Sequence, residues 1–133
     1  SGIVCKYAGG AITWKSKLQQ CIALSTTEAE FVAASEAARE MIWLSKLFED
    51  MKVSTKVPVI HIDNQSAIKL IKNPEFHCRT KHIDIRYCFV REKFNEGKID
   101  VCYVRTDDQA ADIFTKALLK GRFQILKGLL GMQ

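Results

Sequence analysis

At 133 residues the chain has the size of one compact domain able to bury a hydrophobic core. Hydrophobic residues at 47% and charged residues at 26% are ordinary globular proportions, which exclude a disordered or fibrous chain, and no apolar run is long enough to span a bilayer. Lys and Arg number 20 against 15 Asp and Glu, so the formal net charge of +5 permits a polyanionic partner without requiring one.

Residues 1–7 alternate as a strand already in progress, so the sequence reads as a piece cut from something longer. Ala8-Gly9-Gly10 is a hairpin turn signal, and residues 11–16 return as a second strand. Lys15-Ser16-Lys17-Leu18-Gln19-Gln20 is polar and basic. Ser25-Thr26-Thr27-Glu28 then matches a capping box, a Ser N-cap with Glu three residues on. The predicted helix runs to about residue 51, with Ala34, Ala37, Met41, Leu44 and Phe48 along one apolar face. Glu30 lies on that same face, one turn before Ala34. Burying an unpaired carboxylate costs roughly several kcal/mol, so Glu30 either sits at the rim of the face or meets a cation.

Residues 57–62 form a β-branched apolar run, read as a strand buried on at least one face. Asp63 stands at its exit, before a short helix that Asn73-Pro74 ends. An acid at this edge of an α/β sheet suits chemistry; it also suits a helix cap. A loop carrying Arg79 and Lys81 leads to a helix over 82–95 with Ile83, Tyr87, Val90 and Phe94 on one face, closed by Gly97. Residues 99–104 alternate as a strand, and Thr106-Asp107-Asp108 opens a helix with Asp112 in its early turns. A last helical segment, 123–130, carries Ile125, Leu126, Leu129 and Leu130. This order predicts an α/β domain over 1–133, a mixed sheet with flanking helices. The 5 cysteines form no C-x-x-C pair and most of them read as reduced core thiols, and His77, Cys78, His82 and Cys88 cluster loosely with a spacing that fits no zinc pattern well.

Three acids stand out by position: Glu30, Asp63 and Asp112. Gathered at one end of a sheet, they would repel one another unless divalent cations neutralised them. Hard oxygen donors of this kind suit Mg²⁺ or Mn²⁺. Two such ions about 3.5–4 Å apart support phosphodiester hydrolysis. Each acid also has a structural reading: a rim salt bridge for Glu30, a cap for Asp63, a favourable helix-dipole position for Asp112.

Four stretches carry a family resemblance: Leu24-Ser25-Thr26-Thr27-Glu28-Ala29-Glu30-Phe31, Asp63-Asn64-Gln65-Ser66-Ala67, Arg79-Thr80-Lys81-His82-Ile83-Asp84-Ile85 and Ala110-Ala111-Asp112-Ile113-Phe114-Thr115-Lys116. Together with Trp14-Lys15-Ser16-Lys17, they make the chain resemble the ribonuclease H domain at the C-terminal end of Ty1/copia-type retrotransposon Pol polyproteins. The resemblance spans nearly the whole chain in order. It implies a ribonuclease H-like fold and two-metal hydrolysis of the RNA strand of an RNA–DNA hybrid with Mg²⁺ or Mn²⁺. Glu30, Asp63 and Asp112 match the family's catalytic, metal-binding acids. Reverse transcriptase upstream in the same polyprotein is the implied partner, and a cytoplasmic virus-like particle the implied location. The family's first catalytic Asp lies on a first strand upstream of the position matching Ser1. The present sequence is therefore expected to lack that acid and a central strand of the sheet. It also has no His in the loop before Asp112.

Lys15, Lys17, Lys69, Lys72, Arg79, Lys81 and Arg86 are the candidate contacts to hybrid phosphates, although any of them serves equally as a solvated surface cation. Trp14 is read as a core residue or a stacking platform. The competing functional reading is a catalytically inactive or domesticated module with the same fold that binds nucleic acid or protein. A purely structural interaction domain would need the three acids to lie far apart.

Overall fold

The computed structural model describes residues 1–19, 26–53, 55–73 and 82–132, and their side chains except those of residues 82–84. Within these residues lie four strands, β1 (Gly2–Tyr7), β2 (Gly10–Ser16), β3 (Val59–Ile62) and β4 (Asp100–Tyr103). Four α-helices accompany them: α1 (Thr26–Asp50), α2 (Gln65–Lys72), α3 (His82–Asn95) and α4 (Lys120–Leu129). The chain divides into two compact units: Ala23–Tyr103, and Ser1–Ile22 together with Val104–Gln133.

In the central unit, β3 and β4 pair in parallel, with Val59 opposite Asp100 and Ile62 opposite Tyr103. Parallel strands need a long crossover between them, and α2 and α3 provide it. The strand period of two turns Ile60, Ile62 and Val101 inward and leaves Val59 and His61 exposed. Against this pair pack α1, through Phe31, Ala34 and Ala38, and α3, through Tyr87 and Val90. Ala34 and Ala38 are small, which lets α1 and α3 approach closely; the deepest point of the predicted apolar face is Ala38 rather than Ala37. The rings of Phe31 and Tyr87 meet edge to face, 4.8 Å between centroids. The Tyr87 hydroxyl donates to the Leu70 carbonyl at 2.9 Å, and the buried Arg91 guanidinium donates to the Asn73 carbonyl, so α3 satisfies the C-terminal end of α2. Burial raises the Tyr87 pKa above the ordinary tyrosine value, and the neighbouring Arg91 opposes that rise.

In the terminal unit, β1 and β2 form an antiparallel hairpin with a bulge between Cys5 and Lys6. Its turn places Ala8 and Gly9 at φ 51° and 84°, the two left-handed positions of a hairpin turn matched to strand twist. Ile3 and Cys5 face inward. The Ser16 hydroxyl donates to the Phe114 carbonyl at 2.7 Å, fixing the hairpin to a 3₁₀ segment, Ala110–Phe114. This contact is close enough to require glycine: a Cβ on Gly2 would lie 2.7 Å from the Thr115 methyl and 2.8 Å from the Ala111 carbonyl oxygen. At the far end Ala11 N–H donates to the Leu130 carbonyl at 3.0 Å, and Leu126 and Leu130 of the C-terminal segment are buried.

The α/β class is the one expected, in keeping with a ribonuclease H-like fold. The strands form two two-stranded sheets instead of one mixed sheet. A ladder extends only through a strand paired along both of its edges, and none of the described strands pairs with more than one neighbour. The helix expected from Thr106 is two short 3₁₀ segments, Thr106–Asp108 and Ala110–Phe114, because Gln109 between them is extended (φ −75°, ψ 99°). Trp14, read as a core residue or a stacking platform, is 64% exposed. Cys5 and Cys102 are in the thiol form, as expected, whereas Cys88 is disulfide-bonded. The capping-box Ser25 lies outside the described residues, as do His77 and Cys78.

Two substitutions test this packing. Ile71 is 1% exposed, so Ile71→Ala should cost about 2–5 kcal/mol in urea unfolding, and a cost under about 0.5 kcal/mol would remove it from the core. Gly2→Ala should cost about 1–3 kcal/mol by overpacking against the 3₁₀ segment. An unchanged midpoint would show that the hairpin does not seat there.

Candidate active site

Asp63 follows directly on β3 and is half-buried. The cap of α2 is made by its neighbour. Asn64 has extended backbone (φ −110°, ψ 106°), and its Oδ1 accepts the Ala67 N–H at 3.0 Å. The capping role offered to Asp63 by the sequence therefore belongs to Asn64. The Asn64 Nδ2 in turn donates to Thr27 Oγ1 at 3.5 Å. This contact holds the exit of β3 beside the first turn of α1. Glu30 follows Thr27 by three residues, on the same side of the helix, and is half-buried one turn before the buried Ala34. The central unit thus brings the end of β3, with Asp63, to the helix turn that leads to Glu30.

Asp112 belongs to the terminal unit, in the Ala110–Phe114 segment, and is 7% exposed. Its Oδ2 accepts from Lys116 Nζ at 3.0 Å and from Arg122 Nη2 at 3.2 Å. Arg122, on α4, also donates to Asp107 Oδ1 and to the Thr106 carbonyl, each at 2.9 Å. One guanidinium therefore clamps both 3₁₀ segments onto α4. A buried carboxylate is retained only where it is paired, and these two cations supply the pairing.

The donor chemistry of Glu30 and Asp63 fits a hard divalent cation, since carboxylate oxygens are its preferred ligands. Asp112 as found does not fit one, because its carboxylate is already paired through Oδ2 with two side-chain cations. Among the described residues no group of three or more His, Cys, Asp or Glu side chains is arranged to hold a metal ion.

Of the basic candidates, Lys15 and Lys17 are exposed on and just after β2 in the terminal unit. Lys69 and Lys72 are exposed in the last turn of α2, Lys72 with its ammonium 5.9 Å from the Phe94 ring, and Arg86 is half-buried on α3. Arg79 and Lys81 lie outside the described residues. Sequence reasoning missed Arg122. Its link to Asp112 spans a loop and two kinds of helix, and no local spacing announces it. Lys116 was visible as the i+4 neighbour of Asp112. A further contact that no motif signalled joins Cys102 Sγ to His61 Nδ1 at 3.1 Å, opposite each other on β4 and β3.

The division of labour at the β3 exit is testable by stability alone. Asn64→Ala should lose about 1 kcal/mol through the cap, and Asp63→Asn should change stability by less than about 0.5 kcal/mol. The reverse ranking in urea unfolding would return the cap to Asp63.

No family model matches the chain, and no solved structure does. Curated relatives do. The chain is 45% identical over 132 residues to "Retrovirus-related Pol polyprotein from transposon TNT 1-94" of Nicotiana tabacum, a match covering 99% of the chain and 10% of that protein. It is 39% identical over 122 residues to "Retrovirus-related Pol polyprotein from transposon RE1" of Arabidopsis thaliana, covering 91% of the chain and 8% of the relative. With "Transposon Ty1-DR5 Gag-Pol polyprotein" of Saccharomyces cerevisiae the identity is 29% over 119 residues, 89% of the chain and 7% of the relative. The chain therefore spans about a tenth or less of the length of these proteins. Matched along nearly its whole length by one kind of protein, the chain belongs to the Ty1/copia-type retrotransposon Pol polyproteins, as one short segment of them.

Proposed function

We propose that the chain is the ribonuclease H portion of such a Pol polyprotein and that, within the complete domain, it takes part in hydrolysing the RNA strand of RNA–DNA hybrids. The observation that carries this reading is Asp63. It stands at the exit of a parallel strand, beside the first turn of α1, and Asn64 makes the cap in its place. Its carboxylate is thereby left for chemistry. Glu30 is the second acid of the reading; Asp112, the third by its place in the sequence, is paired with Lys116 and Arg122 and does not fit an ion as found. The fourth comes from an acid-bearing strand upstream. Mg²⁺ or Mn²⁺, two ions in the complete domain, are the cofactors, and the chemistry they supply is activation of water and neutralisation of charge on the leaving oxygen. Asp63 and Glu30 would hold them from the strand end and from the helix.

Substrate grip falls to the exposed cations. Lys69 and Lys72 form one such pair, at the C-terminal end of α2, and Lys15 and Lys17 another on the hairpin. Each neutralised phosphate adds to a salt-dependent affinity, and contacts to the 2′-OH separate RNA from DNA. The partner within the polyprotein is the reverse transcriptase, and the place of action a virus-like particle in the cytoplasm. Among the described residues no helix is long and apolar enough to cross a membrane.

The neutralised Asp112 favours a second reading, an inactive module of the same fold that binds nucleic acid or protein without cleaving. One experiment separates the two. The chain joined to its upstream Pol sequence should cleave the RNA strand of a labelled hybrid in MgCl₂, and Asp63→Asn should abolish cleavage. Full activity in that variant would sink the nuclease assignment. Hybrid binding without cleavage, unresponsive to Mg²⁺, would move the chain to the module.

A further inference from the structure

We propose that Cys102, paired with His61, is a thiol-exchange site: its sulfur reacts with small disulfides and carries one half of them as a mixed disulfide on the exposed face of the β3–β4 ladder. The site is separate from the carboxylates and does not depend on the nuclease reading.

Three observations converge. The first is register. His61 stands opposite Cys102 in the parallel ladder, and the strand period of two turns both away from the buried Ile60, Ile62 and Val101. The second is contact. Cys102 Sγ lies 3.1 Å from His61 Nδ1, within the reach at which a ring nitrogen polarises a thiol toward the attacking thiolate. The third is access. Cys102 is in the thiol form and half-buried, and His61 is exposed, whereas the other described thiol, Cys5, is only 8% exposed. A cysteine that only packs sits among apolar side chains. Cys102 instead meets a polar ring where small molecules can reach it. In the exchange the Cys102 sulfur attacks one sulfur of the disulfide. A new S–S bond forms as the old one breaks, and the departing sulfur leaves with the electron pair and takes up the thiol proton. Cys102 is oxidised to the disulfide level and the departing half of the reagent is reduced to a thiol. His61 is a positioning residue here, since it acts through the sulfur.

The test treats the 133-residue chain with dithiodipyridine, a small neutral disulfide. Absorbance of the released thione gives the rate, and peptide mass spectrometry identifies the modified cysteine. Cys102 should react at least about tenfold faster than buried Cys5. His61→Gln should slow exchange at Cys102 at least about fivefold, with the fold followed by far-UV circular dichroism. His61→Phe keeps a ring at this exposed position and removes Nδ1; it carries the test if His61→Gln does not fold. In urea above the unfolding transition the parent and the variant should react alike, because 41 residues separate the pair along the chain. Exchange at Cys102 unchanged within about twofold in both His61 variants overturns the proposal. So does a difference that persists in urea, or modification of Cys5 ahead of Cys102.

Discussion

The parallel pairing of β3 with β4 is the constraint on which the central unit depends. Two parallel strands cannot be joined by a tight turn, so the chain between them must leave the ladder, cross and return. That excursion is α2 and α3, and the core is what the excursion encloses: Ile60, Ile62 and Val101 from the strands, Ala67 and Ile71 from α2, Tyr87 and Val90 from α3. Helix α1 adds Phe31, Ala34 and Ala38 to the same core. The register also determines where β3 ends. It stops at Ile62, opposite Tyr103, and the next residue is Asp63. The position of the candidate acid is thus a consequence of strand pairing, and Asn64 completes it by tying the exit to both α1 and α2.

Buried polar groups divide by unit. In the central unit they close a helix end: Tyr87 and Arg91 donate to the carbonyls of Leu70 and Asn73, which α2 cannot satisfy from within. In the terminal unit they balance charge: Asp112 is paired with Lys116 and Arg122, and Arg122 spreads over three acceptors. The first arrangement belongs to any packed helical hairpin. The second falls on Asp112, one of the three acids that the sequence singles out.

Much of the fold was legible. The hairpin followed from Ala8-Gly9-Gly10, because two left-handed residues are what a two-residue turn needs. Helices α1, α2 and α3 followed from apolar spacing and from Asn73-Pro74 and Gly97 as stops. Local propensity and tertiary demand agree at these places. The reading failed where they part. Asp107, Asp108 and Asp112 look like the start of an α-helix, yet Gln109 is extended and the segment breaks into two 3₁₀ pieces held by Arg122 from another element. Trp14 has a core-like side chain on a face that its own unit leaves exposed, and alternation cannot say which face of a two-stranded sheet is covered. For the site, the three acids were legible as types at positions. The identity of the α2 cap was undecided between adjacent Asp63 and Asn64, because either side chain can accept a backbone N–H.

The sequence by itself determined the element order, the apolar faces of the helices, the acids at a strand exit and on a helix, and the membership of the Pol polyproteins. These rest on local periodicity and on motifs, which are properties of neighbouring residues. The tertiary structure alone decided that Asn64 and not Asp63 caps α2, that β3 and β4 pair with each other in parallel, and that Asp112 is charge-balanced by a guanidinium ten residues away. Each of these turns on where a side chain or strand finds its partner in space. No periodicity carries that information, because the cost of an unpaired charge or an unfilled ladder is settled only once the chain has closed on itself.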